Sequence, residues 1–299
     1  MNHGFIITVH NYPELLKEII DLLSCPNHFF FINIDKKIDD SPFKKILNNV
    51  PNVYFTEGKQ RVKVNNGGFS QIQATINLLN IAHKQNLDYI HFISGQDYPC
   101  VSIKEFDDFF IKNEGISYMH YDSPEEIKEW TVSKYPQRYK QYHTIDFNLN
   151  KKNLLQNITL KLLNLCFKIL PPRKNIHEIA GGWNWFSWHK SVTNYVLNYL
   201  KENPNYIKKW HFTSCCDEII FHTLLNKHTD ILHIERYNSL RYIEWHPKRE
   251  YKTLPLILDE REYNDIINSK AFFCRKIQPD QSSKLIKMLK KHINNPQRN

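Results

Sequence analysis

The strongest constraint on the fold is a regular alternation of two hydrophobic periods through the first hundred residues. Apolar runs at 4–9, 29–34, 53–55 and 89–93 have strand length. Between them lie stretches in which apolar residues recur every three to four positions. Pro13 opens the first such stretch, which runs through Leu15, Leu16, Ile19, Ile20 and Leu23. Ser70 stands where an N-cap is expected for the next, ahead of Ile72, Ile76 and Leu79. Two successive βαβ units follow from this order, and with them an α/β fold whose mostly parallel central sheet carries helices on both faces. Such sheets bind ligands beyond the carboxyl ends of their strands.

Those strand ends are polar. Val9 runs into His10-Asn11, Ile34 into Asp35-Lys36-Lys37, and Ile93 into Ser94-Gly95-Gln96-Asp97. Neither GxGxxG nor GxxxxGK[ST] occurs, which argues against a dinucleotide-binding dehydrogenase and a P-loop enzyme. The 299 residues are 41% apolar and 13% aromatic, enough for a substantial core, and form a single domain with no repeat or low-complexity linker. No apolar run approaches the roughly 20 residues of a membrane span, and the N-terminus leads directly into the first strand, so a cytoplasmic protein is expected.

The six cysteines lack CxxC spacing. Neither a disulfide framework nor a zinc site is expected from them, and His211 with Cys215 and Cys216 is the nearest approach to a cluster. A net charge of +9 suits a polyanion: a nucleic acid, an anionic lipid surface or the pyrophosphate of a sugar nucleotide. The basic residues are spread rather than gathered with aromatics in a recognised module, which disfavours a non-catalytic nucleic-acid-binding protein.

The second half is less regular. Residues 154–170 read as a mostly apolar helix with Asn157, Lys161, Asn164 and Lys168 on one face, ended by Pro171-Pro172 and flanked by Lys151, Lys152, Arg173 and Lys174. Either it packs on the core with that stripe in water, or residues 151–174 make a peripheral contact with a membrane. Further elements are expected as helices at 190–200, 217–225 and 282–293 and as strands near 231–234, 239–244 and 271–276.

Two segments narrow the function. Thr213-Ser214-Cys215-Cys216-Asp217-Glu218 begins a short apolar helix, and Leu240-Arg241-Tyr242-Ile243-Glu244-Trp245 follows about twenty residues after it. Together with Ser94-Gly95-Gln96-Asp97-Tyr98-Pro99, this order resembles the core-2/I-branching β-1,6-N-acetylglucosaminyltransferases, which have peptide O-xylosyltransferases as relatives. The match runs with gaps from about residue 4 to about 278. It implies a GT-A type fold with a nucleotide-binding half at 1–110 and an acceptor-binding, catalytic half at 111–299. It further implies an inverting, metal-independent transfer from a UDP-sugar, UDP-GlcNAc foremost, with xylosyl or another hexosyl transfer as the alternative. Animal members carry a signal anchor, a stem and disulfides; a chain without them suggests synthesis of a surface polysaccharide or lipopolysaccharide from the cytosolic side.

The resemblance also assigns residues. Glu218 becomes the catalytic base and Asp217 its neighbour, although two carboxylates at a helix start also simply suit the dipole. The family lacks the metal-binding Asp-x-Asp and uses basic side chains on the diphosphate, for which the matching positions are Lys252 and Lys276, with Arg275 beside the latter. Val9, His10 and Asp35 fall at the nucleotide, and Asp97 at the usual metal position, facing the donor sugar. Trp245 would lie against the acceptor sugar, and Arg138 near it. Trp183 and Asn184 would line the site after Gly181-Gly182, whose small size would let backbone approach substrate. No cofactor is expected.

Overall fold

The computed structural model describes residues 1–123, 125–126, 135–147, 154–173 and 178–294. The expected alternation is present: β1 (His3–Val9), α1 (Pro13–Leu23), β2 (His28–Ile34), α2 (Ser41–Leu47), β3 (Val53–Phe55), α3 (Phe69–Ala82) and β4 (Tyr89–Ser94). After β5 (Tyr98–Pro99) come α4 (Ile103–Lys112), β6 (Ser117–Tyr121), α5 (Tyr135–Lys140) and α6 (Leu154–Ile169). The remainder comprises β7 (Gly182–His189), α7 (Lys190–Glu202), α8 (Pro204–Lys208), α9 (Ile220–Leu225), β8 (Ile234–Glu235), β9 (Arg241–Ile243), α10 (Tyr263–Asn268), β10 (Phe273–Arg275) and α11 (Pro279–Asn294).

Seven strands form the central sheet in the order β3-β2-β1-β4-β7-β6-β8. The first four are mutually parallel, β7 is antiparallel to both neighbours, and β6 and β8 are parallel. Period-two alternation explains the two layers of core. Phe5, Ile7, Phe30 and Ile32 face one side with α1, α4 and α11, while Ile6 and Phe31 face the other with α3 and α7. Each such side chain contributes about 1.5–3 kcal/mol relative to exposure. A small second sheet, β5-β10-β9, stands beside the carboxyl ends.

Arg241 joins the two sheets. It is buried, and its guanidinium donates to the carbonyls of Phe92 at 3.1 Å and Phe186 at 2.9 Å and to Ser187 Oγ at 2.9 Å, while stacking over Phe273.

Several local expectations need correction. Ser70 is not the N-cap of α3; Gly68 holds that position. The free amides are taken instead by Asp146, far along the chain, which accepts from the backbone of Phe69 at 2.7 Å and Ser70 at 3.1 Å. The helix expected from Asp217 is a 3₁₀ turn at Cys216–Glu218 followed by α9, since Cys215 is left-handed at φ 49°. β9 stops at Ile243, so Trp245 lies beyond the strand.

In α6 the expected polar stripe is solvated, Asn157, Lys161, Asn164 and Lys168 all being exposed, but most of the apolar side is not packed on the core either. Leu155, Ile158, Leu162, Leu165 and Ile169 are exposed, whereas Asn164 accepts from Thr144 and Phe167 packs on Tyr142 and Phe212. Lys151, Lys152 and Lys174 lie outside the described residues. Among those described, no helix is long and apolar enough to cross a membrane.

Candidate active site

A cleft of about 440 Å³ opens at the carboxyl ends of β1, β2 and β4. Thr8 to Asn11, Asn33, Asp35 and Ser94 to Gln96 form one wall, and Asn184, Trp185, Cys215, Asp217, Glu218, Trp245, Arg275 and Lys276 the other. The cleft thus brings together Val9, His10, Asp35, Asn184, Asp217, Glu218, Trp245, Arg275 and Lys276 from the residues singled out in the sequence.

Asp35 is held in place. Its Oδ1 accepts from the backbone of Lys37 at 3.0 Å and Val64 at 3.2 Å, and Lys37 Nζ stands 3.3 Å from Oδ2. Arg61 ties the same loop by donating to the carbonyls of Ile34 at 2.9 Å, Asp35 at 3.1 Å and Ile38 at 2.6 Å. Confinement within the cleft holds the His10 pKa below its ordinary value; Lys276 and Lys37 act in the same direction and Asp35 against it.

The turn that carries Asp217 and Glu218 is braced from α3 and the loop before it. Gly67, at φ 73°, accepts through its carbonyl from Cys215 N–H at 2.7 Å, a conformation that favours glycine. Gln71 Nε2 donates to Asp217 Oδ2 at 2.7 Å, and Asn184 Nδ2 donates to the same oxygen at 2.9 Å. Asp217 Oδ1 is buried with no hydrogen-bond partner. Burial, reinforced by the charge of Glu218, pushes the Asp217 carboxyl up to about 7. The neighbouring Glu218 is less enclosed, with about 30% of its side chain exposed, and its Oε2 accepts from Arg138 Nη1 at 2.7 Å. Burial raises its pKa and Arg138 opposes the rise.

At the other end of the cleft the charge is positive. Arg275 Nη1 donates to Asp97 Oδ1 at 2.7 Å and Ser94 Oγ at 2.9 Å, and its guanidinium stacks 4.1 Å from the Trp185 ring centroid. Lys276 follows, half-buried; burial and then the adjacent Arg275 lower its pKa. Lys276, beside an Arg275 whose charge Asp97 already balances, gains when an anion enters this partly desolvated wall.

Four of the sequence assignments are placed elsewhere. Asp97 does not face the cleft: it is 0% exposed, and its oxygens are taken by Arg275, by Trp185 Nε1 at 3.2 Å and by the backbone N–H of Ser94. Three donors thus hold the carboxylate in the interior, turned toward Arg275 and Trp185. Lys252 is exposed and off the cleft wall, where that segment contributes Leu254 and Pro255 instead. Trp183 packs on His120, ring centroids 4.3 Å apart, rather than lining the cleft. Gly182 is small for packing reasons, since a Cβ there would stand 2.0 Å from the His120 carbonyl oxygen and 2.7 Å from His222 Nε2. Arg138, expected near the acceptor, does not line the cleft itself but donates to Glu218, which does.

Sequence reasoning missed Gln71, Trp185 and Arg61. Trp185 was adjacent to residues already chosen and could have been found from its aromatic character; Gln71 and Arg61 carry no signal without the fold. Asp122 was missed as well, a buried carboxyl pushed up to about 7 by burial, Glu126 and Glu218.

The model of the family described as Core-2/I-Branching enzyme matches residues 4–267. Xylosyltransferase sqv-6 of Caenorhabditis briggsae is 23% identical over 244 residues, covering 77% of this chain and 27% of the relative. Its counterpart in Caenorhabditis elegans is 19% identical over 240 residues, covering 78% and 27%. The chain therefore spans 27% of the length of these curated relatives. Among solved structures, mouse xyloside xylosyltransferase 1 in its apo form is similar at 8% identity and a TM-score of 0.42, covering 94% of this chain and 98% of that one. S. aureus TarS 1-349 in complex with UDP-GlcNAc is similar at 14% identity and a TM-score of 0.30, covering 41% of this chain and 35% of that one.

Proposed function

The chain belongs to the Core-2/I-Branching enzyme family, and on that premise we propose that it is an inverting glycosyltransferase moving a sugar from a UDP-sugar to a glycan hydroxyl. The observation that carries this reading is one cleft that holds a carboxylate, Glu218, at one end and two adjacent basic side chains, Arg275 and Lys276, at the other. Glu218 removes the proton from the acceptor hydroxyl as that oxygen attacks the anomeric carbon, and UDP departs with the bonding pair. Lys276 and Arg275 neutralise its diphosphate in place of a metal ion. At about 4 Å and an effective dielectric near 20, each such pair is worth roughly 4 kcal/mol before desolvation. Val9, His10 and Asp35 hold the uridine, and Trp245 offers an indole face to the acceptor sugar. The α/β sheet serves as a GT-A type scaffold, with 1–110 supplying most of the nucleotide wall.

We take GlcNAc as the first donor to test and a β-1,6 branch in a surface polysaccharide or lipopolysaccharide as the product. The name of the sqv-6 relatives favours a second reading, xylosyl transfer. Calorimetric titration with UDP, UDP-GlcNAc and UDP-xylose, in EDTA and then with Mn²⁺, separates these. Binding that persists in EDTA with one sugar preferred is the expected result; a requirement for Mn²⁺ defeats the metal-independent scheme. Lys276→Ala should weaken UDP binding about tenfold or more, or at least about 1.4 kcal/mol.

The exposed apolar stripe of α6, with Lys161 and Lys168 beside it, supports a peripheral contact with anionic membrane at the cytoplasmic face. Co-sedimentation with phosphatidylglycerol vesicles, diminished in Leu162→Asp, is expected. Equal recovery in the supernatant with and without vesicles would end this proposal.

A further inference from the structure

The amino ends of β1 and β2, at the opposite edge of the parallel strands from the cleft, hold a second cluster. Strand register sets His3 beside His28, and α4 lays Asp107 over both. His28 Nδ1 is 2.6 Å from the Leu23 carbonyl oxygen and must donate to it, so His28 Nε2 meets Asp107 Oδ1 at 2.9 Å with a lone pair unless a cation lies between. His3 Nε2 is aimed at the same carboxylate oxygen from 3.7 Å, is 0% exposed, and has no hydrogen-bond partner. A shared proton would satisfy His28 and leave His3 orphaned. One metal ion would satisfy all three.

We propose that His3, His28 and Asp107 form a structural site for a late first-row divalent cation, Zn²⁺ being the best match to two imidazoles and a carboxylate. The three donor atoms lie within 4.8 Å of one another. Tetrahedral zinc with bonds of about 2.0–2.2 Å separates its ligand atoms by about 3.4 Å, a value bracketed by the two observed separations from the carboxylate oxygen, 2.9 and 3.7 Å. The outer shell suits ligation as well. His28 Nδ1 is anchored on Leu23, and His3 Nδ1 stands 3.0 Å from His91 Nε2, whose ring continues through Nδ1 to Ser187 Oγ at 2.9 Å. Asp107 keeps 24% of its side chain exposed, which gives the ion a route in. The bound ion would pin the starts of two central strands to α4, away from the transfer chemistry.

The test uses the full chain, stripped with chelator and dialysed. Co²⁺ is expected to bind one equivalent with an intense tetrahedral visible spectrum that Zn²⁺ displaces, and Zn²⁺ to raise the melting temperature by several degrees. Asp107→Asn, nearly isosteric and partly exposed, should weaken Zn²⁺ at least tenfold and abolish the melting shift while UDP titration is unchanged. His28→Gln should do the same. The proposal is overturned if the wild type takes up no equivalent of Zn²⁺. It is equally overturned if Asp107→Asn binds undiminished, which would send the ion to other histidines, or if melting responds to pH but not to metal.

Discussion

Glu218→Gln is expected to lower sugar transfer at least a hundredfold while leaving UDP affinity and melting temperature close to those of the parent. A positioned general base contributes about 10²–10⁴ in rate, so the lost transition-state stabilisation is at least about 2.7 kcal/mol. Glutamine keeps the side chain's length, and its carbonyl oxygen can still accept the Arg138 bond now made by Oε2. The substitution therefore removes the basic oxygen more than the architecture. Initial rates at saturating donor measure the effect; a variant retaining more than about a tenth of the parent rate would show that another group takes the proton.

The sign of the pH dependence follows from the same geometry. Burial raises the Glu218 pKa and Arg138 restrains the rise, and the base works only when ionised. The kcat/KM profile should fall as pH is lowered through that raised value, with its acid limb above the range of an ordinary glutamate. Arg138→Met should move the limb to still higher pH, whereas in Glu218→Gln the limb assigned to this group should vanish.

The sheet was legible because its strands obey period two on both faces: Ile6 and Phe31 turn one way, Phe5, Ile7, Phe30 and Ile32 the other. The strand ends at Val9, His10 and Asp35 were legible for the same reason, since parallel topology puts carboxyl ends together. What escaped depends on contacts between distant segments. Ser70 has the right type and position for an N-cap, but nothing local reveals that Asp146 will reach the amides first. Lys252 stands near the correct segment, yet which side of a loop meets the cleft is set by packing, and Leu254 and Pro255 took that wall. Trp183 and Asn184 differ by one residue and by a face of β7. The cysteines carry no ligand spacing, His211 with Cys215 and Cys216 being their nearest approach to a cluster, and His3 and His28 look like ordinary strand residues until register sets them side by side.

Asp97 is where sequence position and side-chain direction diverge most, and Asp97→Ala is expected to cost about 3–5 kcal/mol of stability, the usual penalty for removing one partner of a buried ion pair. Its carboxylate is fully buried, and the Arg275 side chain is 12% exposed. Deletion leaves the Trp185 indole N–H and the Ser94 amide without their acceptor, and the guanidinium without its counter-charge and with Ser94 Oγ still accepting. Urea denaturation should register the loss as a lower midpoint with little change in slope. UDP binding should weaken too, because the ion pair holds Arg275 in the cleft wall beside Lys276, and Mn²⁺ should change neither result. A metal-ligating Asp97 predicts the opposite pattern: nearly unchanged urea stability, with loss of a Mn²⁺-dependent component of UDP binding. The two roles make different demands on one carboxylate, since Oδ1 already accepts from a guanidinium and Oδ2 from an indole and a backbone amide. The expected pattern would make the aspartate at this strand end a support for Arg275 in the cleft wall rather than a ligand for a metal.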